Sequence, residues 1–187
     1  MQLTWYNTVC PLVLLPEHLA KEWSGLYLKS SGEEYDRRVS VKDSEDPGKT
    51  DYGKVIVQFA SLEQHIAFFD HEGHTYLAFD VPEQQEVDYA VVQIENTTYI
   101  IRYCLEPDED IIEILNEKTL ADRRGWQEEG ELQIDQGNYL VFDSGTHYMD
   151  LEREEVAQIT ITIGEYQVST KALGQNTEFL VHRLQRK

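Results

Sequence analysis

The segment Gln158-Ile159-Thr160-Ile161-Thr162-Ile163 alternates polar and apolar residues without a break. A period of two sends one row of side chains into a core and the other into water, the pattern of a half-buried antiparallel strand. Related runs recur along the chain. They are Leu12–Leu15, Arg37–Lys42, Val55–Phe59, His65–Phe69, Thr75–Val81, Tyr89–Ile94, Tyr99–Leu105, Tyr139–Phe142, Val156–Ile163, Tyr166–Ala172 and Phe179–Leu184. Asp70-His71-Glu72-Gly73 and Glu95-Asn96-Thr97 sit between paired runs and predict two hairpins. Gly164-Glu165 reads as a tight turn, and Asp43–Thr50 as an exposed loop. Two stretches have helical spacing instead. Pro16–Trp23 opens on a proline and places Leu19 and Trp23 four apart. Pro107–Glu117 places Ile111, Ile114 and Leu115 on one face behind an acidic amino end. The expected class is α+β: a mostly antiparallel, sandwich-like β domain with two short helices. At 187 residues, and with about 150 residues to a domain, residues 1–187 read as a single domain.

The charge is one-sided. Sixteen Lys and Arg face thirty-five Asp and Glu, for a net charge of −19. Phosphate contacts need Lys and Arg, so the balance argues against nucleic acid and anionic membranes as partners. Residues 83–135 carry fifteen acids and four bases, net −11, more than half of the total. A field of one sign speeds encounter with a partner of the opposite sign. No signal peptide is legible at the amino end, and no run approaches the roughly 20 apolar residues of a membrane-spanning helix. Cys10 and Cys104 read as free buried thiols in a cytoplasmic chain.

Catalytic signatures are scarce. The Walker pattern, the dinucleotide-binding glycines, the nucleophile elbow and the zincin helix are all missing. His65, His71 and His74 fall within ten residues and invite a metal-dependent hydrolase reading, but the spacing is not that of a helical zinc pair. Asp143-Ser144-Gly145 follows a strand and reads as an Asp/Ser turn rather than a nucleophile loop. No cofactor is expected. Trp126 lies between Arg123-Arg124-Gly125 and Gln127-Glu128-Glu129 and is the tryptophan expected to be partly exposed.

The order of blocks resembles a known family. Trp5, then Pro11-Leu12-Val13-Leu14-Leu15-Pro16-Glu17, then Trp23-Ser24-Gly25 is similar to the opening of the immunity protein 21 family. Tyr35-Asp36-Arg37, Asp51-Tyr52-Gly53, the hairpin ending at Pro82, Tyr99–Tyr103, Tyr139–Ser144 and Gly164–Val168 follow in the family's order. Ile163 stands where that pattern has proline. The resemblance implies a bacterial immunity protein, without enzymatic activity, that binds one polymorphic toxin in the producing cell and blocks it. Such toxins are often nucleases, and a nuclease is basic, which suits an acidic inhibitor.

Three readings follow. The first is a stoichiometric inhibitor occluding a basic toxin over an interface of roughly 1,600 Å². The charge count places its contact face at Glu106, Asp108, Glu109, Asp110, Glu113 and Glu117, continued by Glu128, Glu129 and Glu131 with Trp126 as anchor. The alternatives are a small hydrolase around His65, His71 and His74, or an acidic regulatory or interaction domain.

Overall fold

The computed structural model describes residues 3–27, 47–59, 65–80, 87–103, 114–174 and 179–187. The architecture is α+β, dominated by antiparallel strands. The chain divides into two compact units, each assembled from separated segments. Unit 1 takes residues 1–7, 82–137 and 161–187; unit 2 takes 8–81 and 138–160. Because the chain enters and leaves each unit more than once, no single boundary is visible along the sequence.

Unit 2 is built on a five-stranded sheet in the order β3-β4-β2-β8-β9. These strands are β2 (Leu12–Pro16), β3 (Ile66–His71), β4 (His74–Phe79), β8 (Asn138–Asp143) and β9 (Ala157–Thr160). The continuous run Leu12–Leu15 becomes the central strand, buried on both faces. The β3/β4 hairpin turns at Glu72-Gly73, where both residues have positive φ (51° and 83°), the backbone of a two-residue hairpin turn. Trp23 is fully buried between Phe69 and Phe142, and its Nε1 donates to the Ser144 carbonyl at 2.9 Å. Gly25 (φ 57°) lets the chain pass against Gly145–His147, where a Cβ would lie 2.5 Å from the Gly145 carbonyl oxygen.

Helix α1 (Glu17–Ala20), with Pro16 at its N-cap, forms only the first part of the helix expected over Pro16–Trp23. A helix that was not expected, α2 (Asp51–Phe59), replaces the strand read at Val55–Phe59. Its β-branched residues favour a strand locally, but its amino end is capped: the Thr50 hydroxyl accepts from the Gly53 amide at 2.8 Å. Asp51, Val55 and Phe59 recur every fourth residue; Asp51 and Val55 are buried, and Val55 and Phe59 join the core. The Asp51 carboxylate, fully buried, accepts from the Ser24 amide and hydroxyl and from Lys54 Nζ, each at 2.9 Å.

Unit 1 holds a six-stranded sheet in the order β1-β5-β6-β11-β10-β7. The strands are β1 (Trp5–Thr8), β5 (Val87–Ile94), β6 (Thr97–Tyr103), β7 (Gln127–Ile134), β10 (Gly164–Leu173) and β11 (Phe179–Arg186). The β5/β6 hairpin lies where expected and turns at Glu95-Asn96. Gly164 and Glu165 are not a turn. They open β10 and pair with Ile134 and Gln133 of β7. The strand expected over Val156–Ile163 ends at Thr160; Ile161 leaves the ladder but stays buried.

The helix expected over Pro107–Glu117 does not extend through residues 114–116, and residues 107–113 lie outside the described residues. Asn116 is extended (φ −131°, ψ 164°), and its side chain accepts from the Thr119 amide as the N-cap of α3 (Glu117–Ala121). Leu115 and Leu120 pack onto Tyr99, Ile101, Tyr103, Phe179 and Val181 of the sheet.

Candidate protein-binding surface

The alternation of β6, β10 and β11 sorts unit 1 into two faces. One carries Tyr99, Ile101, Tyr103, Phe179 and Val181 and is covered by α3. The row Glu128–Ser169–Arg183–Tyr99 crosses four strands on this face. Trp126, just before β7, is half-buried beside it, with ring centroids 6.2 Å from Tyr99.

The Trp126 indole is held from below and flanked by cations. Its Nε1 donates to the Asp122 carbonyl at 2.8 Å. The Arg183 guanidinium lies 4.2 Å from the ring centroid, and Lys171 Nζ lies 5.6 Å from it. Asp122 is braced by Arg124, whose Nε and Nη2 donate to the carboxylate at 2.8–3.2 Å while its amide donates at 3.1 Å. These bonds hold the Asp122 carboxyl well below the usual carboxylate range. Partial burial lowers the Arg183 pKa, and the neighbouring Arg123 adds to that effect.

The acids expected to form a contact face are placed as follows. Glu106, Asp108, Glu109, Asp110 and Glu113 lie outside the described residues. Glu117 is exposed in the first turn of α3. Glu128 and Glu131 are exposed on β7 and share the face that α3 covers. Glu129 falls at an irregularity where the ladder steps from Val168↔Gly130 to Ser169↔Glu128. Glu131 pairs with Lys187 at 2.5 Å. β7 is the last strand of its sheet, so its charges and its bulge also blunt edge-to-edge pairing with other chains.

Folding therefore redistributes the charge that the sequence concentrates in residues 83–135. Unit 1 holds seventeen acids and eight bases, net −9; unit 2 holds eighteen acids and eight bases, net −10. The carboxyl-terminal strands bring Lys171, Arg183, Arg186 and Lys187 into the unit that contains the acidic stretch. The surface beside Trp126 is mixed in sign, and its basic members were not legible as a group because 48 to 60 positions separate Arg123 from Lys171 and Arg183.

The remaining sequence candidates are placed as follows. The Asp143 carboxylate accepts from the amides of Val9, Cys10 and Gly145 and from the Thr8 hydroxyl, at 2.7–3.0 Å, and so organises a turn with buried Ser144. His71 is buried with its ring 5.4 Å from that of Trp23, whereas His65 and His74 are exposed. Among the described residues, no group of three or more His, Cys, Asp or Glu is placed to hold a metal ion, and no helix is long and apolar enough to cross a membrane. Cys10 is free and buried; Cys104 lies outside the described residues.

A second polar line runs through the opposite face of unit 1. Arg102 and His182 are buried to 1% and 0% exposure. Arg102 Nε donates to His182 Nε2 at 2.9 Å, and His182 Nδ1 lies 3.0 Å from the Thr170 hydroxyl. Since Arg can only donate, Nε2 is the acceptor and the proton sits on Nδ1, which donates to Thr170. The Arg102 and His182 side chains both lie in the sheet interior. No family model matches the chain, and neither does any curated protein or solved structure.

Proposed function

We propose that this chain is an immunity protein of the polymorphic-toxin type, which binds one cognate toxin in the bacterial cytoplasm and neutralises it by occlusion. The observation that carries the reading is the amino-terminal block Pro11–Glu17 with Trp23-Ser24-Gly25. The residues of this block are ones that unit 2 is built around: the central strand, the buried Trp23 and the tightly packed Gly25. The resemblance therefore concerns fold-determining positions rather than surface composition. The net charge of −19 supports a partner of opposite sign, with exposed Glu117, Glu128 and Glu131 steering its approach. The Trp126 neighbourhood supplies the aromatic and arginine side chains from which binding hot spots are drawn.

The test is co-expression with the toxin domain encoded beside it. The reading predicts that cells carrying both survive and that the two proteins co-purify. Death of cells that hold soluble, folded protein would overturn it.

A further inference from the structure

Acids outnumber bases more than twofold in this chain, yet among the described residues Arg183, Lys171 and Arg123 form no ion pair within 4 Å, although Glu128 lies in the field of Arg183 and Asp122 in that of Lys171. Arg183 has five N–H donors. Among the described residues one hydrogen bond engages them, a long contact of 3.4 Å from Nη2 to the Ser169 hydroxyl, and the buried Nε finds no acceptor there. Lys171 and Arg123 make no ion pair with any described residue, although Arg124, two residues from Asp122, is paired with it and Lys187 with Glu131. The closest acid in register, Glu128, is separated from Arg183 by Ser169 and forms no ion pair with it. Gly125 (φ 77°) precedes Trp126, and a Cβ added there would lie 3.8 Å from Lys171 Cε. The guanidinium packs 4.2 Å from the indole centroid and is half-buried, so part of its side-chain entropy is already lost before an anion binds.

We propose that Trp126, Lys171, Arg183 and Arg123 form a binding site for an acidic segment of a partner protein, in which a carboxylate takes the guanidinium and ammonium donors beside the indole. A carboxylate matches the planar fork of Arg183. A nucleic acid carries a charge about every 1.7 Å along its axis and would meet the surrounding acids of unit 1, whereas a peptide can present one or two isolated carboxylates. The proposal does not depend on the toxin reading; it describes the sign of a contact at this patch, whatever the partner's activity.

The test uses the full chain labelled with nitrogen-15 and the blocked peptide acetyl-Gly-Glu-Glu-Gly-amide. The Trp126 indole N–H resonance, assigned by its loss in Trp126→Phe, should move saturably on titration while those of Trp5 and Trp23 stay fixed. The glutamine version of the peptide should leave all three unmoved. Arg183→Gln with Lys171→Gln should weaken the response at least about tenfold, equivalent to about 1.4 kcal/mol, with the resonance of Trp5, which packs on the unit 1 core, reporting an intact fold. Glu128→Gln removes the competing charge and should tighten binding. Absence of movement, equal movement with the glutamine peptide, or no change in the double variant would overturn the proposal. So would a saturable response to inorganic phosphate without one to the acidic peptide.

Discussion

The guanidinium of Arg183 lies 4.2 Å from the centroid of the Trp126 indole, joining the strand that closes the chain to the loop that opens β7. This contact sets the position of a half-buried tryptophan at the rim of unit 1. A cation over an indole contributes about 0.5–2 kcal/mol, depending on how far it is desolvated. With Arg183 half-buried, a double-mutant cycle of Arg183→Met and Trp126→Leu in chemical denaturation should give a coupling energy near 1 kcal/mol. A coupling within about 0.3 kcal/mol of zero would show that the two side chains are merely adjacent.

The Arg102–His182–Thr170 line places a neutral imidazole with its proton on Nδ1 inside the sheet. Nitrogen-15 spectra should show that tautomer for His182. Replacing His182 by leucine leaves Arg102 Nε without this acceptor in a buried site, which costs about 2–3 kcal/mol. Thr170→Val removes a neutral hydrogen bond worth about 1 kcal/mol. A milder effect from His182→Leu than from Thr170→Val would contradict the donor assignment.

Arg124 donates to the charged form of Asp122 and holds its carboxyl well below the usual carboxylate range. Its folded value lies under the unfolded one of about 3.9, so its contribution to stability is present above that pH and is lost as the pH falls further. The side-chain carbon resonance of Asp122 should hold its ionised position through the range where exposed carboxylates protonate. Arg124→Gln should return its midpoint to that range. An ordinary midpoint in the unaltered protein would mean that the Asp122–Arg124 pair is open in solution.

Gly25 and Gly73 both have positive φ, but only Gly25 is crowded. A Cβ on Gly25 would sit 2.5–2.8 Å from backbone atoms of Gly145, Thr146 and His147, while a Cβ on Gly73 meets nothing within 4 Å. Gly73→Ala should cost the backbone penalty alone, about 1–2 kcal/mol. Gly25→Ala should cost about 3 kcal/mol or more and shift the amide resonances of residues 145–147. Equal costs at the two sites would contradict the close approach.

What the sequence made legible were features set by local chemistry. Both hairpins, the buried run Leu12–Leu15 and the half-buried Trp126 follow from alternation, turn residues and composition. Failures came where tertiary context overrode propensity. Val55-Ile56-Val57 prefers a strand, but the Thr50 cap and the buried Asp51 carboxylate make its segment helical. β7 was hidden by its own glutamates, although Glu131-Leu132-Gln133-Ile134 alternates as an edge strand should. Asn116 looked like the interior of one helix and instead caps the next. The clustering of Arg123, Trp126, Lys171 and Arg183 depends on strand order, which no local pattern encodes.

The most direct test of the central claim is a titration of purified toxin domain with this protein, reading residual toxin activity against the molar ratio. Occlusion predicts a linear fall that ends at one equivalent, with a complex of matching stoichiometry in sedimentation. Complete inactivation by a small fraction of an equivalent would mean that the protein destroys the toxin catalytically, and undiminished activity beyond one equivalent would mean that it does not neutralise the toxin at all.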